Sequence, residues 1–568
     1  MPVLLGCQSG IEDKSPNVLI IITDDQGWGD LRIHDNDSIF TPNLDNLATE
    51  SVRFDRFYVC PVCAPTRASL LTGRYHIRTG TTWVTRRMEV MRSEEYTIAE
   101  SFRDHGYSTA CIGKWHNGSQ YPTDPKGQGF DEFFGFRAGH WLNYFNTTLD
   151  HNGVKVKTNG YIADVLTDHA IEFISDHREK PFFCYLSINT PHAPFQVPDT
   201  YFNRYKTMGF DDKTACIYGM CENIDDNMGR LLSALDSLNL RENTIVVFLT
   251  DNGPNSWRYN GGMKGKKAHV DEGGVRVPFF IRYPGQLPQG TTVNQLGAHI
   301  DLFPTLHELC HIPLPGTLPM DGISLVRAMT ENNVEERMVF THQVAWTFKP
   351  VPGAVRTPEY RLVLNNRGDT LLYNMLDDPG QKTDISRQHP DISARLAQEY
   401  YSWLNDVTSS GTEAILVPVG YPEAPSVELP ASDGTLTGQL KYKGIAGWAH
   451  DWVVDFGPVT DSCFWKIDNQ TAGTYSISAE LAVKEATVPC KLFLTTPDGN
   501  LVATIEQTID ATYLESPDRV PRGEVYEREW QMTNLGEIYL QDGEQFISFK
   551  AETQPGHQLE FKSLLLTK

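Results

Sequence analysis

Between residue 17 and about 330, short apolar runs rich in β-branched residues alternate with segments of helical periodicity. This alternation is typical of a mainly parallel β-sheet covered by helices, so the sequence predicts an α/β fold. The predicted strands lie at 17–23, 108–113, 182–188 and 244–250, and a long amphipathic helix is predicted at 216–238.

The pattern changes after residue 330. Residues 331–412 hold strand-like segments at 361–364 and 370–373 and a helical segment at 392–404. Together they predict a small α+β subdomain packed on the first domain. Residues 413–432 carry several prolines among small residues, and this composition predicts a linker.

The last segment, 433–568, alternates polar and apolar residues with a period of two. The alternation is clearest at 474–483, 490–496, 501–505, 545–551 and 558–566. Such a pattern predicts an additional antiparallel β-sandwich at the carboxyl end.

The 568-residue chain has a formal net charge of −23. This charge argues against general binding of nucleic acid or anionic membranes, because phosphate groups are repelled. An anionic substrate therefore needs a local cationic pocket, for which Lys264, Lys266 and Lys267 are candidates. The longest aliphatic run, 18–22, is far shorter than the roughly 20 residues of a membrane-spanning helix.

The amino-terminal segment 1–16 contains Leu4-Leu5-Gly6-Cys7, which resembles the end of a bacterial lipoprotein signal. We expect an export remnant or a tail here, and hence an exported, periplasmic or cell-surface lipoprotein; a cytosolic start is the alternative. The ten cysteines are too sparse for a disulfide scaffold, although Cys463 and Cys490 are a candidate pair.

Polar residues cluster where predicted strands end. Asp24-Asp25 and Asp251-Asn252 each follow an apolar run directly, and Lys114, His116 and His192 follow two other strands. Because ligands bind outside the carboxyl ends of strands in open α/β sheets, the two oxygen-rich pairs are candidates for holding one hard cation. The alternative is a set of helix caps and solvated turns.

A further candidate is Cys63, in Cys63-Ala64-Pro65-Thr66-Arg67. Pro65 suits a first helical turn, which places Cys63 at a helix amino terminus where anions and thiolates are favoured. The residues alone therefore indicate a reactive nucleophile beside Arg67. Cys60 and Cys63 also form a Cys-x-x-Cys, for which zinc binding or redox chemistry is the competing interpretation.

Five motifs occur in an order that resembles type I sulfatases of the alkaline phosphatase-like superfamily. They are Asp24-Asp25-Gln26-Gly27, Cys63-Ala64-Pro65-Thr66-Arg67 with Leu71-Thr72-Gly73-Arg74, Gly113-Lys114-Trp115-His116, Pro191-His192, and Asp251-Asn252-Gly253 with Lys267 ahead of Glu272-Gly273-Gly274. Asn117-Gly118 departs from the family pattern of leucine and glycine. The adjacent Lys266 leaves the identity of the sulfate-binding lysine open, with spacing favouring Lys267.

The resemblance implies that 17–330 is the catalytic domain of a sulfuric ester hydrolase. It implies that a maturation enzyme oxidises Cys63 to Cα-formylglycine, and that catalysis passes through a formylglycine-sulfate covalent intermediate. By the same resemblance, the metal ligands are Asp24, Asp25, Asp251 and Asn252, with the modified Cys63 also facing the metal. An all-oxygen set suits Ca²⁺, with Mg²⁺ as the alternative.

The resemblance also implies roles for the remaining polar residues. Lys114, Lys267 and His192 stabilise the sulfate oxygens, and Arg67 and Lys114 hold the formylglycine hydrate. We expect His116 to act as the base, and His192 or Lys267 as the acid that protonates the leaving alcohol.

The aromatic-rich segments suggest a carbohydrate substrate. Gly139-His140-Trp141 and Tyr144 are candidates for contacting a sugar at the pocket mouth, with ordinary packing as the alternative. Trp448, Trp452, Trp465 and Trp530 in the sandwich either stack on sugar rings or form core.

We expect an exported bacterial, exo-acting sulfatase of sulfated polysaccharides or oligosaccharides. Competing functions are a formylglycine-dependent phosphodiester or phosphonate monoester hydrolase and an inactive glycan-binding protein.

Overall fold

The computed structural model describes residues 15–568 except 317, 332–334, 344–345, 445, 458 and 554–557. The lipoprotein-like stretch at 4–7 lies outside these described residues. Among the described helices, none is both long enough and apolar enough to cross a membrane.

The first domain alternates strands and helices. Its strands are β1 (Asn17–Thr23), β2 (Val52–Phe54), β3 (Phe57–Tyr58), β4 (Ser108–Lys114), β5 (Glu132–Phe136), β6 (Thr148–His151), β7 (Val154–Lys157), β8 (Phe182–Ser187), β9 (Thr244–Thr250), β10 (Arg276–Val277), β11 (Phe279–Arg282), β12 (Thr291–Val293) and β13 (Gly297–Ala298). Its helices are α1 (Pro42–Thr49), α2 (Cys63–Thr72), α3 (Ile98–Asp104), α4 (Ile162–Asp176), α5 (Asp199–Thr207), α6 (Asp212–Ser237), α7 (Glu272–Val275), α8 (Leu302–Leu309) and α9 (Val326–Thr330).

Ten of these strands form one sheet, in the order β12-β2-β11-β9-β1-β8-β4-β5-β6-β7. The five central strands, β9-β1-β8-β4-β5, run parallel, whereas β11, β6 and β7 join antiparallel toward the edges. The prediction of a mainly parallel sheet is confirmed at its centre, where the carboxyl ends of the strands meet on one edge.

Both faces of this sheet are buried, as the continuous apolar run of β1 requires. Leu19 and Ile21 pack on one side with residues of α4 and α6, and Ile20 packs on the other side with residues of α2, α3 and α8. Helix α6 covers the predicted 216–238 segment almost completely. The sheet is therefore a rigid layer between two sets of helices.

A smaller subdomain follows in the region predicted to be α+β. It comprises β14 (Val339–His342), β15 (Gly353–Arg356), β16 (Tyr360–Leu364), β17 (Thr370–Asn374) and the helix α10 (Pro390–Val407). The four strands form an antiparallel sheet in chain order. Leu396 and Tyr400 of α10 share a buried cluster with Tyr75 and Ile300 of the first domain, so the two units pack together.

The carboxyl-terminal region is a β-sandwich. Its strands are β18 (Val417–Val419), β19 (Ser426–Pro430), β20 (Thr435–Leu436), β21 (Lys441–Tyr442), β22 (Val453–Val454), β23 (Cys463–Asn469), β24 (Gly473–Val483), β25 (Cys490–Thr496), β26 (Gly499–Ile505), β27 (Thr512–Tyr513), β28 (Arg528–Glu529), β29 (Gln531–Leu540), β30 (Gly543–Glu552) and β31 (Leu559–Thr567). Two six-stranded sheets enclose one apolar core, and most neighbouring strands run antiparallel.

Two expectations for this region are wrong. The segment 413–432 is not a linker, because β18 pairs with β23 and β19 pairs with β31, so both strands belong to the sandwich. Cys463 and Cys490 do not form a disulfide, since both are buried free thiols.

Candidate active site

The strand register places the two oxygen-rich pairs side by side. Thr23 at the end of β1 is level with Thr250 at the end of β9, so Asp24 and Asp251 leave the sheet at the same height. On the other side, Gly113 of β4 is level with Ser187 of β8. Chain segments that are far apart in sequence therefore deliver their polar residues to one edge of the sheet.

Three buried carboxylates each pair with a cationic side chain at this edge. The Lys114 Nζ lies 2.6 Å from the Asp24 Oδ2, and the Lys267 Nζ lies 2.6 Å from the Asp25 Oδ1. The third cation, Arg67, belongs to the helix α2, and its Nη2 lies 2.7 Å from the Asp251 Oδ2. These pairs offset the large cost of burying isolated charges.

The pKa values of the three carboxyl groups differ because their surroundings differ. Burial alone would raise the pKa of Asp24 and Asp25, but Lys114 and Lys267 respectively lead the charges that hold them below their usual range. Burial, followed by repulsion from Asp24, raises the pKa of Asp251 to about 7 despite the nearby Arg67. At Asp251, desolvation and the neighbouring Asp24 carboxylate together outweigh the stabilising charge of Arg67.

The donor set fits a divalent cation. The Asp24 Oδ1 and the Asn252 Oδ1 are buried and have no hydrogen-bond donor among the described residues, which is costly for an acceptor. One ligand atom each of Asp24, Cys63 and Asp251 lie within 4.8 Å of one another. Carboxylate and amide oxygens are the ligands that hard cations prefer.

Cys63 is the first residue of α2 and is 2% exposed. The turn is fixed by Thr66, whose Oγ1 donates to the Asp251 carbonyl at 2.7 Å and accepts from the Cys60 amide at 3.0 Å. Burial raises the pKa of the Cys63 thiol, although Lys114 and Lys267 act in the opposite direction. The expected thiolate is therefore wrong for the unmodified protein, because desolvation outweighs the nearby positive charges.

The two predicted catalytic histidines are held by backbone carbonyls. The His116 Nε2 donates to the Val84 carbonyl at 2.9 Å, while its Nδ1 is buried without a partner among the described residues. Burial, and then Lys114, lowers the pKa of His116 well below its usual value, so the ring is neutral. The His192 Nδ1 donates to the Ala193 carbonyl at 2.6 Å, which leaves its Nε2 3.8 Å from the Asp25 Oδ2.

These groups open into a pocket of about 290 Å³. Of the predicted site residues, it is lined by Cys63, His116, His140, His192 and Lys267. The predicted residues Asp24, Asp25, Arg67, Lys114, Asp251 and Asn252 are almost fully buried beside these lining groups. The structure therefore brings all eleven predicted residues into one region of the molecule.

Several finer expectations are resolved by the same geometry. Lys267 makes the ion pair with Asp25, whereas Lys266 lines the pocket without pairing with that carboxylate, and Lys264 contacts Asp271 at 3.2 Å. Tyr144 is fully buried and donates to the carbonyls of the His192 loop, so it supports that loop and does not contact a sugar.

Other residues of the site were not predicted from the sequence. The Asn255 Nδ2 donates to the Asp25 Oδ2 at 3.1 Å, and Arg67 donates to the Ser187 hydroxyl. Asn255 lies three residues after Asn252 in the same strand-end loop. This short spacing could have identified it as a site residue. Trp448, one of the sandwich tryptophans considered for stacking on sugars, and Glu524 also line the pocket. Nothing in the sequence indicated that the sandwich reaches this pocket.

Comparison with known families agrees with this arrangement. The family model described as sulfatase matches residues 16–312, more than half of the chain. The chain belongs to the sulfatase family. A second model, described as the C-terminal region of N-sulphoglucosamine sulphohydrolase, matches residues 264–405. The protein is thus a sulfuric ester hydrolase with the alkaline phosphatase-like fold.

Individual relatives and solved structures resemble this chain over most of their length. The N-acetylgalactosamine-6-sulfatase of Canis lupus familiaris is 32% identical over 58% of this chain and 69% of its own. The ulvan-active sulfatase of Formosa agariphila is 30% identical over 67% of this chain and 80% of its own. The crystal structure of Ps i-CgsB in complex with k-i-k-neocarrahexaose superimposes with a TM-score of 0.67 at 28% identity, covering 71% of this chain and 95% of that one.

Proposed function

We propose that this sulfatase hydrolyses sulfate esters of a carbohydrate after Cys63 has been converted to formylglycine. The observation that carries the proposal is the position of Cys63, at the start of α2, in the pocket lining and within 4.8 Å of ligand atoms of Asp24 and Asp251. In the net conversion, the CH₂SH group of Cys63 and one water become an aldehyde and H₂S, and two protons and two electrons pass to an oxidant supplied by the maturation enzyme.

We assign Ca²⁺ to this site, with Asp24, Asp25, Asp251 and Asn252 as its protein ligands; Mg²⁺, which also takes oxygen ligands, is the alternative. When both groups are present, the cation offsets negative charge on sulfate and the hydrated aldehyde supplies the attacking hydroxyl. The unpartnered Asp24 Oδ1 and Asn252 Oδ1 support this assignment, because a cation satisfies both acceptors at once.

Lys114, Lys267 and His192 bind the sulfate group. Each lysine already donates one hydrogen bond or ion pair to a carboxylate, and an ammonium group has further N–H donors for sulfate oxygens. Their positions are fixed before substrate arrives, which makes them effective in stabilising the charge of the transition state. Arg67, which is anchored on Asp251, orients the first turn of α2 and the side chain of residue 63.

His116 and His192 carry out the two proton transfers of the reaction. The neutral His116 carries its proton on Nε2, so its Nδ1 lone pair is free to accept a proton from the second hydroxyl of residue 63 as sulfate departs. The His192 Nε2, when protonated beside Asp25, donates to the oxygen of the leaving alcohol as its bond to sulfur breaks. Lys267 is the alternative donor at the same point.

The relatives support a sugar sulfate as the substrate. One is named for N-acetylgalactosamine 6-sulfate, another for ulvan, and a solved neighbour holds a neocarrahexaose. From these names we propose a sulfated polysaccharide or oligosaccharide as the substrate. We further propose that the enzyme is bacterial and exported and that it acts on the end of the chain. The export proposal derives from the Leu4-Leu5-Gly6-Cys7 stretch alone.

The test is a substrate panel for the metal-loaded, matured enzyme. It contains nitrophenyl sulfate, N-acetylgalactosamine 6-sulfate, neocarrahexaose, ulvan oligosaccharides and bis-nitrophenyl phosphate. We expect a value of kcat/KM that is highest for one of the sugar sulfates. A higher value for the phosphodiester would replace this proposal by the phosphodiester hydrolase, and binding of sugars without any turnover would replace it by the inactive glycan-binding protein.

A further inference from the structure

The β-sandwich lies outside both family matches, which end at residues 312 and 405. Two of its loops nevertheless reach the candidate active site. The loop between β21 and β22 brings Trp448 and Ala449 to the pocket, and the segment between β27 and β28 brings Glu524. The sandwich therefore supplies part of the pocket wall.

Hydrogen bonds fix the first of these loops to a pocket residue. The His450 Nε2 donates to the His140 carbonyl at 3.0 Å, and the His450 carbonyl accepts from the half-buried Lys562 of β31. His140 itself is 7% exposed, and its Nε2 has no hydrogen-bond partner among the described residues. The sandwich thus holds the backbone of a histidine whose side chain lines the pocket.

The second segment is attached just as firmly. The Arg522 Nη1 donates to the Leu142 carbonyl at 2.7 Å, and the Arg519 amide donates to the Phe195 carbonyl at 2.9 Å. The Gln196 Nε2 donates to the Asp518 Oδ1 at 2.8 Å. Glu524 is therefore held beside the segments that carry His140 and His192, and its position in the pocket is set by these contacts.

Trp448 belongs to an aromatic wall. Its ring centroid lies 5.6 Å from that of Trp346, which lies 6.1 Å from that of Trp83. Trp83 and Trp448 both line the pocket and come from the catalytic domain and the sandwich respectively. Arg86 lies over Trp346, the middle and most exposed member of this group, with its guanidinium 4.2 Å from the Trp346 ring centroid. A half-buried aromatic face suits the apolar face of a sugar ring.

Glu524 places a negative charge on the side of the pocket that the sandwich forms, whereas the catalytic domain contributes lysines. Its side chain is half-buried, and no hydrogen bond or ion pair among the described residues uses its carboxylate. Lys266 and Lys267 lie elsewhere in the same lining. A free carboxylate accepts hydrogen bonds from sugar hydroxyls and repels a second sulfate or a uronic acid group.

We propose that Trp448 and Glu524 form a sugar-binding subsite, which selects a sulfated sugar that presents unsubstituted hydroxyl groups to the sandwich. Trp448 stacks on the ring, and Glu524 accepts from its hydroxyls. This proposal rests on the proposed function, in which the sulfate itself lies at Cys63 and Lys267. It assigns the sandwich to substrate selection inside the pocket instead of remote binding to polysaccharide.

The experiment compares kcat/KM for N-acetylgalactosamine 6-sulfate with kcat/KM for nitrophenyl sulfate in the full-length matured enzyme. We expect Trp448→Leu and Glu524→Gln each to lower the ratio of the two values by roughly tenfold, as loss of a central contact does. Trp448→Phe should restore most of the ratio, since it keeps an aromatic face. Glu524→Gln should raise activity on N-acetylgalactosamine 4,6-disulfate relative to the monosulfate, because a repulsive charge is removed.

Matched controls come from the same sandwich. Phe546→Ala removes a 44% exposed aromatic ring in a groove on the sheet that contains β30, and Glu515→Gln removes an exposed carboxylate in the Glu524 segment. Neither should change the ratio. An unchanged ratio in Trp448→Leu and Glu524→Gln, or a loss confined to Phe546→Ala, would overturn the subsite while leaving the sulfatase proposal intact.

Binding separates the two proposals if turnover is absent. In the Cys63→Ala protein, calorimetry with N-acetylgalactosamine 6-sulfate measures affinity without chemistry. We expect the additional Trp448→Leu substitution to weaken binding by roughly tenfold. Equal affinity in the two proteins would contradict the subsite. Tight binding by the Cys63→Ala protein, with no turnover of any sulfate ester by the matured enzyme, would contradict only the proposed function.

Discussion

Single residues at the site are held in unusual states by their surroundings. Asp25 and His116 have positive φ angles of 69° and 67°, a backbone region that non-glycine residues seldom adopt. His116 is also kept neutral, with one ring nitrogen fixed by Val84 and the other free. These states derive from the chain that surrounds each residue, so the motifs predicted which residues matter but not their tautomers or hydrogen bonds.

His116→Ala tests the proton-accepting role. We expect the first turnover to proceed and later turnovers to slow by roughly a hundredfold or more, because the second hydroxyl of residue 63 lacks its base. The measurement is a rapid-quench burst of nitrophenol from nitrophenyl sulfate, together with mass spectrometry for sulfate retained on the peptide that contains residue 63. His311→Ala, which removes an exposed histidine, is the control. Undiminished steady-state turnover by His116→Ala would refute the role.

Among the structural elements, the close approach of β4 to β8 and β5 positions Lys114. Gly113 has a φ of 108°, and a Cβ atom there would lie 2.0 Å from the Ser187 carbonyl oxygen. Gly135 of β5 approaches the Gly113 carbonyl equally closely. No side chain is tolerated at either point without moving the backbone, so these glycines set the spacing of the strand ends that deliver Lys114 and Ser187.

Gly113→Ala should therefore destabilise the fold by more than the cost of placing alanine at a positive φ, because the added Cβ also collides with the neighbouring strand. Gly106→Ala is the matched control, because its φ is 84° but nothing lies within 4 Å of the added Cβ. We expect a loss of about 1 kcal/mol in the free energy of unfolding for Gly106→Ala and of roughly 3 kcal/mol or more for Gly113→Ala. Denaturant unfolding measures both values. Equal losses would show that the strands have room to separate.

Much of the element structure was predictable, and the exceptions have physical reasons. The uninterrupted apolar runs predicted β1 and β9 with the bounds that the structure shows, because buried parallel strands need such runs. The strands β18 and β19 were missed because their prolines resemble linker composition, whereas their stability derives from pairing with β23 and β31, far away in sequence. Trp452 and Trp465 are buried in the sandwich, which excludes them from stacking on sugars.

At the scale of the whole molecule, the sandwich and the catalytic domain are joined by more than the pocket loops. Arg87 donates to the carbonyls of Ile415 and Leu416 at 3.1 and 2.9 Å, and the Gln120 Nε2 donates to the Glu428 carbonyl at 3.0 Å. The site residues of the catalytic domain were predictable because each motif is local. The contribution of Trp448 was not, because it depends on how two separately patterned units dock.

This junction contains carboxyl groups whose ionisation is unfavourable. Burial, and then repulsion from Asp433, raises the pKa of Glu89 above its ordinary value of 4.5, although Arg87 opposes the shift. The pKa of Glu89 is therefore higher in the folded protein than in the unfolded chain. Its contribution to the free energy of unfolding is greatest below pH 4.5 and is lost as the pH rises through the folded pKa.

Glu89→Gln should therefore raise the melting temperature at about pH 8 and leave it nearly unchanged at acidic pH, where Glu89 is protonated in both states. Differential scanning calorimetry across this pH range measures the effect. Glu94→Gln, at an exposed neighbouring position, should show no such pH-dependent gain. A gain from Glu89→Gln that is the same at every pH would show that the ionisation of Glu89 does not oppose docking.

The state of residue 63 is the most direct test of the proposed chemistry. Mass spectrometry of the peptide spanning Cys63 should be combined with sulfate release by the same preparations, made with and without a formylglycine-generating enzyme. We expect an aldehyde at residue 63 and a turnover rate that rises in proportion to the aldehyde fraction, with no activity in Cys63→Ala. Full sulfate release by protein that carries only the free thiol would contradict the formylglycine mechanism.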